Sequence, residues 1–272
     1  MKYLSKIYLI VIFGILYIPI LTLIFFSFNE SNSTAVFTGF SLKWYSEIFN
    51  SPETFTALRN SLILAVLSAL ISTVIGTAAA EGIYKMRSKF AKAAITSVTN
   101  IPMMNPDIVT GMSMMLFFVA VAGVIGIAYE DIGFVAMLIA HTTFCLPYVI
   151  LSVLPRINEL GDSLSEAALD LGCTPLQAFF KVKLPNIMPG VLSGMLMAFT
   201  MSLDDFVISY FVGSSRFQTL PLLIYSMTKK KVTPDMYALS TLIIVTIFVL
   251  LIASNVKSGK KLERPGQLGK AK

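Results

Sequence analysis

The sequence predicts an all-α, polytopic integral membrane protein. Only 13% of its 272 residues are charged, against roughly 25% in soluble proteins, and 56% are hydrophobic. A soluble fold could not cover its surface with so few charges. Six stretches are apolar and long enough for helices that cross a bilayer, each of which needs about 20 residues. These stretches lack the alternation of apolar and polar residues that is typical of β-barrel strands.

The six predicted spans occupy most of the chain. The first follows Lys2 and Lys6, as a signal peptide would, but no A-x-A cleavage pattern comes after it, so we expect an uncleaved anchor. Before the third span, Pro102 and Pro106 should break a long apolar stretch and leave Asp107 near the start of a new helix. The predicted spans are Ile7–Phe28, Asn60–Tyr84, Asp107–Tyr129, Ile132–Leu154, Gly190–Gly213 and Tyr237–Val256.

Basic residues predict the orientation of these spans. With the N-terminus inside, 15 Lys and Arg residues fall in cytoplasmic segments and six in external ones, which favours both termini in the cytoplasm. Lys229–Lys231 run against this rule. The net charge of +6 therefore reflects membrane topology rather than nucleic-acid binding. We expect residues 1–256 to form a single transmembrane domain, and residues 257–272 to form a basic cytoplasmic tail against anionic lipids.

The longest cytoplasmic loop, residues 155–189, is predicted to form a capped helical hairpin. Ser163 and Glu166 suit a capping box, and Thr174–Gln177 suit a second one with proline at the first helical position. Gly172 suits the left-handed residue that closes the first helix, and Pro185 should end the second. Such an apolar hairpin either docks on a cytoplasmic partner or packs on its own membrane helices.

This hairpin resembles the EAA loop of ABC importer permeases, the binding-protein-dependent inner-membrane components. The resemblance rests on Glu166-Ala167-Ala168, on Gly172 four residues later, and on Val182-Lys183-Leu184-Pro185, with Cys173 where alanine is usual. It implies a type I (MetI-like) permease fold with six transmembrane helices, in which the EAA loop is the coupling helix seated on an ATPase. The docking residues implied are Glu166, Ala167, Gly172, Leu184 and Pro185. For Glu166, shaping the hairpin as part of the first capping box remains an alternative to docking.

The resemblance also implies a set of partners in the bacterial cytoplasmic (inner) membrane. A second permease would complete a heterodimer, two cytoplasmic ATPase subunits would use ATP and Mg, and an extracytoplasmic binding protein would deliver the substrate. The chain itself has no G-x-x-x-x-G-K-[ST] motif and no Cys/His cluster, so we expect no enzymatic activity, cofactor or metal in it. Its single histidine, His141, is either hydrogen-bonded to a neighbouring helix or serves as a ligand or proton relay.

Polar residues within the fifth span are the candidate substrate contacts, because carboxylates inside a membrane are costly. On a continuous helix, Ser202, Asp205 and Ser209 share one face, which should line a water-filled cavity. The carboxylates could contact a cationic substrate, pair with a partner subunit or hydrogen-bond locally. Asp107 either caps its helix or lies on the substrate path. The predicted substrate path comprises Asp204, Asp205, Ser202, Ser209, Tyr210 and Asp107.

Within the permease family, the stretch Ser202–Ser209 resembles that of spermidine/putrescine permeases. Trp44-Tyr45 and Pro106–Val109 resemble these proteins as well. The resemblance implies uptake of polyamines, with a binding protein specific for polyamines. Permeases for other small solutes share the scaffold and remain an alternative, as does an ion-coupled secondary transporter. A further expectation is an ion pair between Glu81 and Lys85 at the cytoplasmic end of the second span.

Overall fold

The computed structural model describes residues 2–31, 36–214, 216–229 and 234–262. In these ranges the regular structure is helical, and β-pairing is limited to two isolated bridges. A π-helical turn, Phe179–Lys183, joins α8 to α9. The α-helices are α1 (Lys2–Phe26), α2 (Lys43–Asn50), α3 (Pro52–Lys85), α4 (Lys89–Met104), α5 (Asp107–Ile125), α6 (Tyr129–Leu160), α7 (Ser163–Asp170), α8 (Pro175–Ala178), α9 (Leu184–Asp204), α10 (Val207–Val212), α11 (Leu220–Thr228) and α12 (Pro234–Leu262).

Five helical segments in the described ranges are long and apolar enough to cross a membrane. They lie in α1, α3, α5, α6 and the continuous helix Pro175–Asp204, and a shorter apolar stretch, Pro234–Thr246, begins α12. These six segments correspond to the six predicted spans. Helix α12 continues to Leu262, so the first residues of the predicted tail are helical, whereas residues 263–272 lie outside the described part of the chain. That residues 1–256 act as a single domain stays a prediction.

The chain forms two compact units, and the larger one, Arg59–Thr219 with Ser254–Lys272, contains the candidate site. Its core is the contact between α6 and α9, where Val149, Val153 and Ile187 are fully buried. Gly190 makes this close contact possible, because a Cβ atom there would lie 2.8 Å from the Ser152 carbonyl oxygen. The smaller unit, Met1–Leu58 with Leu220–Ala253, has its own apolar core, formed by Trp44, Ile48, Ala57, Leu220, Leu223, Ala238 and Leu239.

Two helix breaks position the polar residues of the larger unit. As predicted, the helix breaks before Asp107, which is the first residue of α5. The prediction of one continuous helix over Gly190–Gly213 is wrong, because α9 ends at Asp204 and Asp205 is extended, with a ψ of 120°. The Asp205 carboxylate accepts hydrogen bonds from the backbone N–H groups of Ile208 and Ser209. Such side-chain-to-backbone bonds compete with helix continuation and begin α10 anew.

The cytoplasmic hairpin forms largely as predicted. Helix α7 ends at Asp170, and the left-handed Gly172 that follows has a φ of 85°. The N–H of Cys173 bonds to the Ala168 carbonyl, which completes a Schellman motif. The predicted second capping box is confirmed, since Thr174 and Gln177 exchange both hydrogen bonds. The first box is wrong, because Asp162 is the N-cap and makes no side-chain capping bond.

The prediction that Pro185 ends the second hairpin helix is also wrong. The chain passes from α8 through the π-helical turn into α9 without interruption, and Pro185 lies in the first turn of α9. The N–H of Leu184 bonds to the Phe179 carbonyl five residues earlier. This wider turn shifts the hydrogen-bond register just before the proline, whose missing N–H is tolerated in a first helical turn. The second half of the hairpin and the fifth span, as far as Asp204, are therefore parts of one uninterrupted helix.

Candidate functional site: a helix break and a cytoplasmic hairpin

Five buried polar side chains from different elements meet at the break between α9 and α10. Ser68 comes from α3, His141 from α6, Ser202 from α9, Asp205 from the break itself and Ser209 from α10. The side chains of His141 and Asp205 are only 1% and 7% exposed. We call this set the break cluster. It joins three spans around the one point at which the fifth span is not helical.

Hydrogen bonds connect every member of the break cluster. His141 Nδ1 lies 2.8 Å from Ser202 Oγ, and the Ser68 hydroxyl donates to the same Oγ at 2.8 Å. On the other side of the ring, Nε2 lies 3.2 Å from Ser209 Oγ and 3.5 Å from Asp205 Oδ2. A histidine protonated at Nε2 directs its N–H toward the carboxylate, which can only accept. The predicted hydrogen bonding of His141 to a neighbouring helix is therefore confirmed.

Asp205 uses its carboxylate locally. Its Oδ2 accepts from the N–H of Ser209 at 2.9 Å, and its Oδ1 accepts from the N–H of Ile208 at 3.3 Å. The carboxylate thereby caps α10, which is the local hydrogen-bonding alternative. Ser202 and Ser209 are buried against His141, so the expectation that they face a water-filled cavity is wrong for this chain.

Three other predicted path residues are accessible. Asp204, Asp107 and Tyr210 are all exposed, and the Tyr210 ring lies 5.5 Å from that of Phe206. Helix α5 packs closely on α10, since a Cβ atom at Gly111 would approach Phe211 to 3.0 Å. The two helix breaks therefore precede two helices that pack on each other, α5 and α10. Each break carries an exposed carboxylate, Asp107 at the first and Asp204 at the second. Among the described residues, no group of three or more His, Cys, Asp and Glu side chains could hold a metal ion.

The cytoplasmic hairpin presents an exposed apolar surface and buries small residues beneath it. Ala168 and Ala178 are buried on its inner face. Among the predicted docking residues, Glu166, Ala167, Gly172 and Pro185 are exposed, and Leu184 is partly buried against the core. The exposed apolar side chains of the hairpin are Leu164, Leu169, Leu171, Leu176 and Phe180, of which Leu171 is 86% exposed.

An ion-pair network fastens the hairpin to the end of α3. The predicted pair between Glu81 and Lys85 is confirmed at 3.1 Å. Sequence reasoning missed the pairing of Lys183 with Glu81. The Lys183 Nζ lies 2.9 Å and 3.0 Å from the two Glu81 carboxylate oxygens and 4.4 Å from the centre of the Tyr84 ring. Lys183 is 102 residues from Glu81. No local pattern signals a pair at this separation.

Comparison with known proteins identifies the family. Residues 72–257 match the family described as the binding-protein-dependent transport system inner membrane component. The chain is 40% identical over 232 residues to the putrescine transport system permease protein PotI of Escherichia coli (strain K12), covering 85% of this chain and 82% of that protein. It is 37% identical over 258 residues to the spermidine/putrescine transport system permease protein PotC of Haemophilus influenzae, covering 95% and 97%.

Solved structures show the same fold at lower sequence identity. A chain of a bacterial ABC transporter involved in the import of the acidic polysaccharide alginate superposes with a TM-score of 0.78 at 17% identity, covering 97% of this chain and 96% of that one. A chain of the MetNI methionine ABC transporter gives 0.62 at 20% identity, covering 79% and 99%. The all-α fold, the multiple membrane-spanning helices and the match of residues 72–257 all indicate the same family. The chain therefore belongs to the binding-protein-dependent inner-membrane components, the permease subunits of ABC importers.

Proposed function

We propose that this chain is the transmembrane subunit of an importer that takes up spermidine or putrescine. The observation that carries the proposal is its similarity, at 37–40% identity, to polyamine permeases over 82–97% of their length. The exposed carboxylates at the helix breaks suit this substrate class, since a polyamine carries several ammonium groups. This level of sequence identity to polyamine permeases supports a shared substrate class as well as a shared fold.

The substrate path runs past the exposed members of the predicted set. Asp204 and Asp107 offset the partial loss of hydration of the ammonium groups as the substrate passes, and Tyr210 offers its ring for a cation–π contact. Asp205, Ser202 and Ser209 serve the path indirectly. They stabilise the break in the fifth span, and the break in turn determines the direction in which the adjacent Asp204 side chain projects. Broken helices are a common way for transporters to build sites in the membrane.

The family and the surface of the chain support a set of partners for the permease. A second permease completes the pathway, and an extracytoplasmic binding protein delivers the polyamine. Two cytoplasmic ATPase subunits hydrolyse ATP with Mg, so that this chain performs no hydrolysis itself. The hairpin docks on an ATPase subunit with its exposed apolar side chains. The residues that the family resemblance implies for this contact are Glu166, Ala167, Gly172, Leu184 and Pro185, of which Leu184 is partly buried. The protein lies in the bacterial cytoplasmic membrane with both termini in the cytoplasm, in line with the distribution of basic residues.

Uptake of radiolabelled spermidine and putrescine tests the proposal. Cells that lack this chain should lose uptake of at least one of them, and the intact chain should restore it. Asp204→Asn should reduce uptake per assembled complex, whereas replacement of the exposed Glu159 by Gln, far along the chain from the breaks, serves as the matched control. Unchanged uptake of both polyamines in the deletion strain would refute the substrate assignment and leave the permease family intact.

A further inference from the structure

Among the lysine and arginine side chains in the described part of the chain, Lys183 is the most deeply buried, with 3% exposed. Its partner Glu81 is 12% exposed, and the Lys183 Nζ contacts both oxygens of the Glu81 carboxylate. The Tyr84 ring lies within 4.4 Å of the same ammonium group. Lys85 also contacts Glu81 but is 66% exposed. The inner pair is thus shielded from water, and the outer one is not.

An ion pair that is shielded from water strongly fixes the relative position of the two segments that carry its partners. If one partner moved away, an uncompensated charge would remain buried, which is far more costly than the loss of an exposed pair. Lys183 lies in the π-helical turn between the hairpin and the fifth span, whereas Glu81 lies at the end of the second span. The hairpin is therefore joined to one span through the chain itself and to another through this pair.

We propose that Lys183 is a positioning residue whose ion pair with Glu81 makes the hairpin and the end of α3 move as one body. The inference rests on the proposed docking of the hairpin on an ATPase subunit. A displacement of the hairpin then reaches two spans at once, α9 through the continuous helix and α3 through the pair. The break cluster joins the same two helices farther along, through Ser68 and Ser202. A movement of the hairpin is thus transmitted to the helix break through both α3 and α9.

The pair is tested in the whole complex, reconstituted in proteoliposomes with its ATPase, second permease and binding protein. The variants are Lys183→Met and Glu81→Gln, each alone and combined, with Lys85→Met as the matched control for an exposed contact with the same carboxylate. The measurements are the amount of ATPase bound, the ATP hydrolysed and the radiolabelled polyamine taken up. Uptake per ATP hydrolysed is the quantity that a purely structural role would leave unchanged.

We expect Lys183→Met and Glu81→Gln to keep the ATPase bound and to lower uptake per ATP about tenfold, a usual size for coupling between sites. The double variant should lose no more than either single one, since both remove the same interaction. Lys85→Met should stay within about twofold, because exposed pairs contribute little.

Two results would overturn the inference: unchanged uptake per ATP in the single variants, or fully additive losses in the double one. If Lys183→Met does not assemble, Glu81→Gln decides, because it keeps the shape of the side chain. An assembled Glu81→Gln complex with wild-type uptake per ATP would refute the role of the pair. A wild-type complex that binds no ATPase, or takes up no polyamine, would instead refute the proposed function.

Discussion

Asp204 and Asp205 are adjacent in sequence, and the structure predicts opposite consequences for their removal. Asp205→Ala deletes the acceptor of the backbone N–H groups of Ile208 and Ser209 in a side chain that is 7% exposed. Each buried donor left without a partner costs about 1–3 kcal/mol, or about 2–6 kcal/mol for the two. Asp205→Asn keeps one carbonyl oxygen and should cost roughly half as much. Asp204→Asn alters an exposed side chain and should barely affect stability.

Transport should respond in the opposite order once it is normalised to assembled complex. Loss of a charge-assisted contact with an ammonium group costs about 1.5–3 kcal/mol, which corresponds to roughly ten- to a hundredfold if the transport barrier feels all of it. Asp204→Asn should therefore lower uptake of spermidine and putrescine without lowering the thermal midpoint of the complex. Asp205→Ala should lower that midpoint and reduce the amount of assembled complex.

The assay combines thermal unfolding of the purified complex in lipid nanodiscs with uptake in vesicles that contain measured amounts of complex. Asp205→Asn serves as the matched variant, since it retains the size of the side chain. The reasoning would be refuted if Asp205→Ala unfolded at the wild-type temperature. It would equally be refuted if Asp204→Asn transported normally while Asp205→Asn, fully assembled and stable, did not.

Three further predictions test the cluster, the hairpin and the topology. His141→Phe should leave Ser202 and Ser209 without their ring partner and destabilise the complex by about 2–4 kcal/mol; a wild-type thermal midpoint would mean that the cluster adds no net stability. Gly172→Val should distort the turn, because a β-branched residue resists a φ of 85°, and less ATPase should copurify than with wild type; full recovery of ATPase together with normal uptake would contradict docking through the hairpin. In a background without Cys145 and Cys173, a cysteine replacing Ser46 should react with an impermeant maleimide from outside, and one replacing Arg87 only after the membrane is opened. The reverse pattern would invert the topology.

Much of the architecture is predictable because its signals are local. Apolar length determines the spans, and Pro106 determines the start of α5 at Asp107. The prediction that Pro102 also breaks the helix is wrong, because Pro102 lies inside α4. The hairpin turn is equally local, since Gly172, Thr174 and Gln177 satisfy backbone groups within a few residues of themselves. The N-terminus of α7 was misplaced by one residue, because Asp162 and Ser163 are both acceptable N-caps and sequence alone does not choose between them.

The sequence by itself determined the membrane class, the six apolar segments and most of the hairpin, because hydrophobic length and capping act between near neighbours. The family was indicated separately, by the resemblance of the hairpin residues to the EAA loop. Only the tertiary structure decided that the fifth span breaks at Asp205, that His141 joins the two sides of this break, and that Lys183 pairs with Glu81. His141 lies 61 residues from Ser202, and Lys183 lies 102 residues from Glu81. Helical periodicity carries no information at such separations. The packing of α3, α6 and α9 brings these groups together, and the cost of burying a polar group without a partner then determines which atoms must meet.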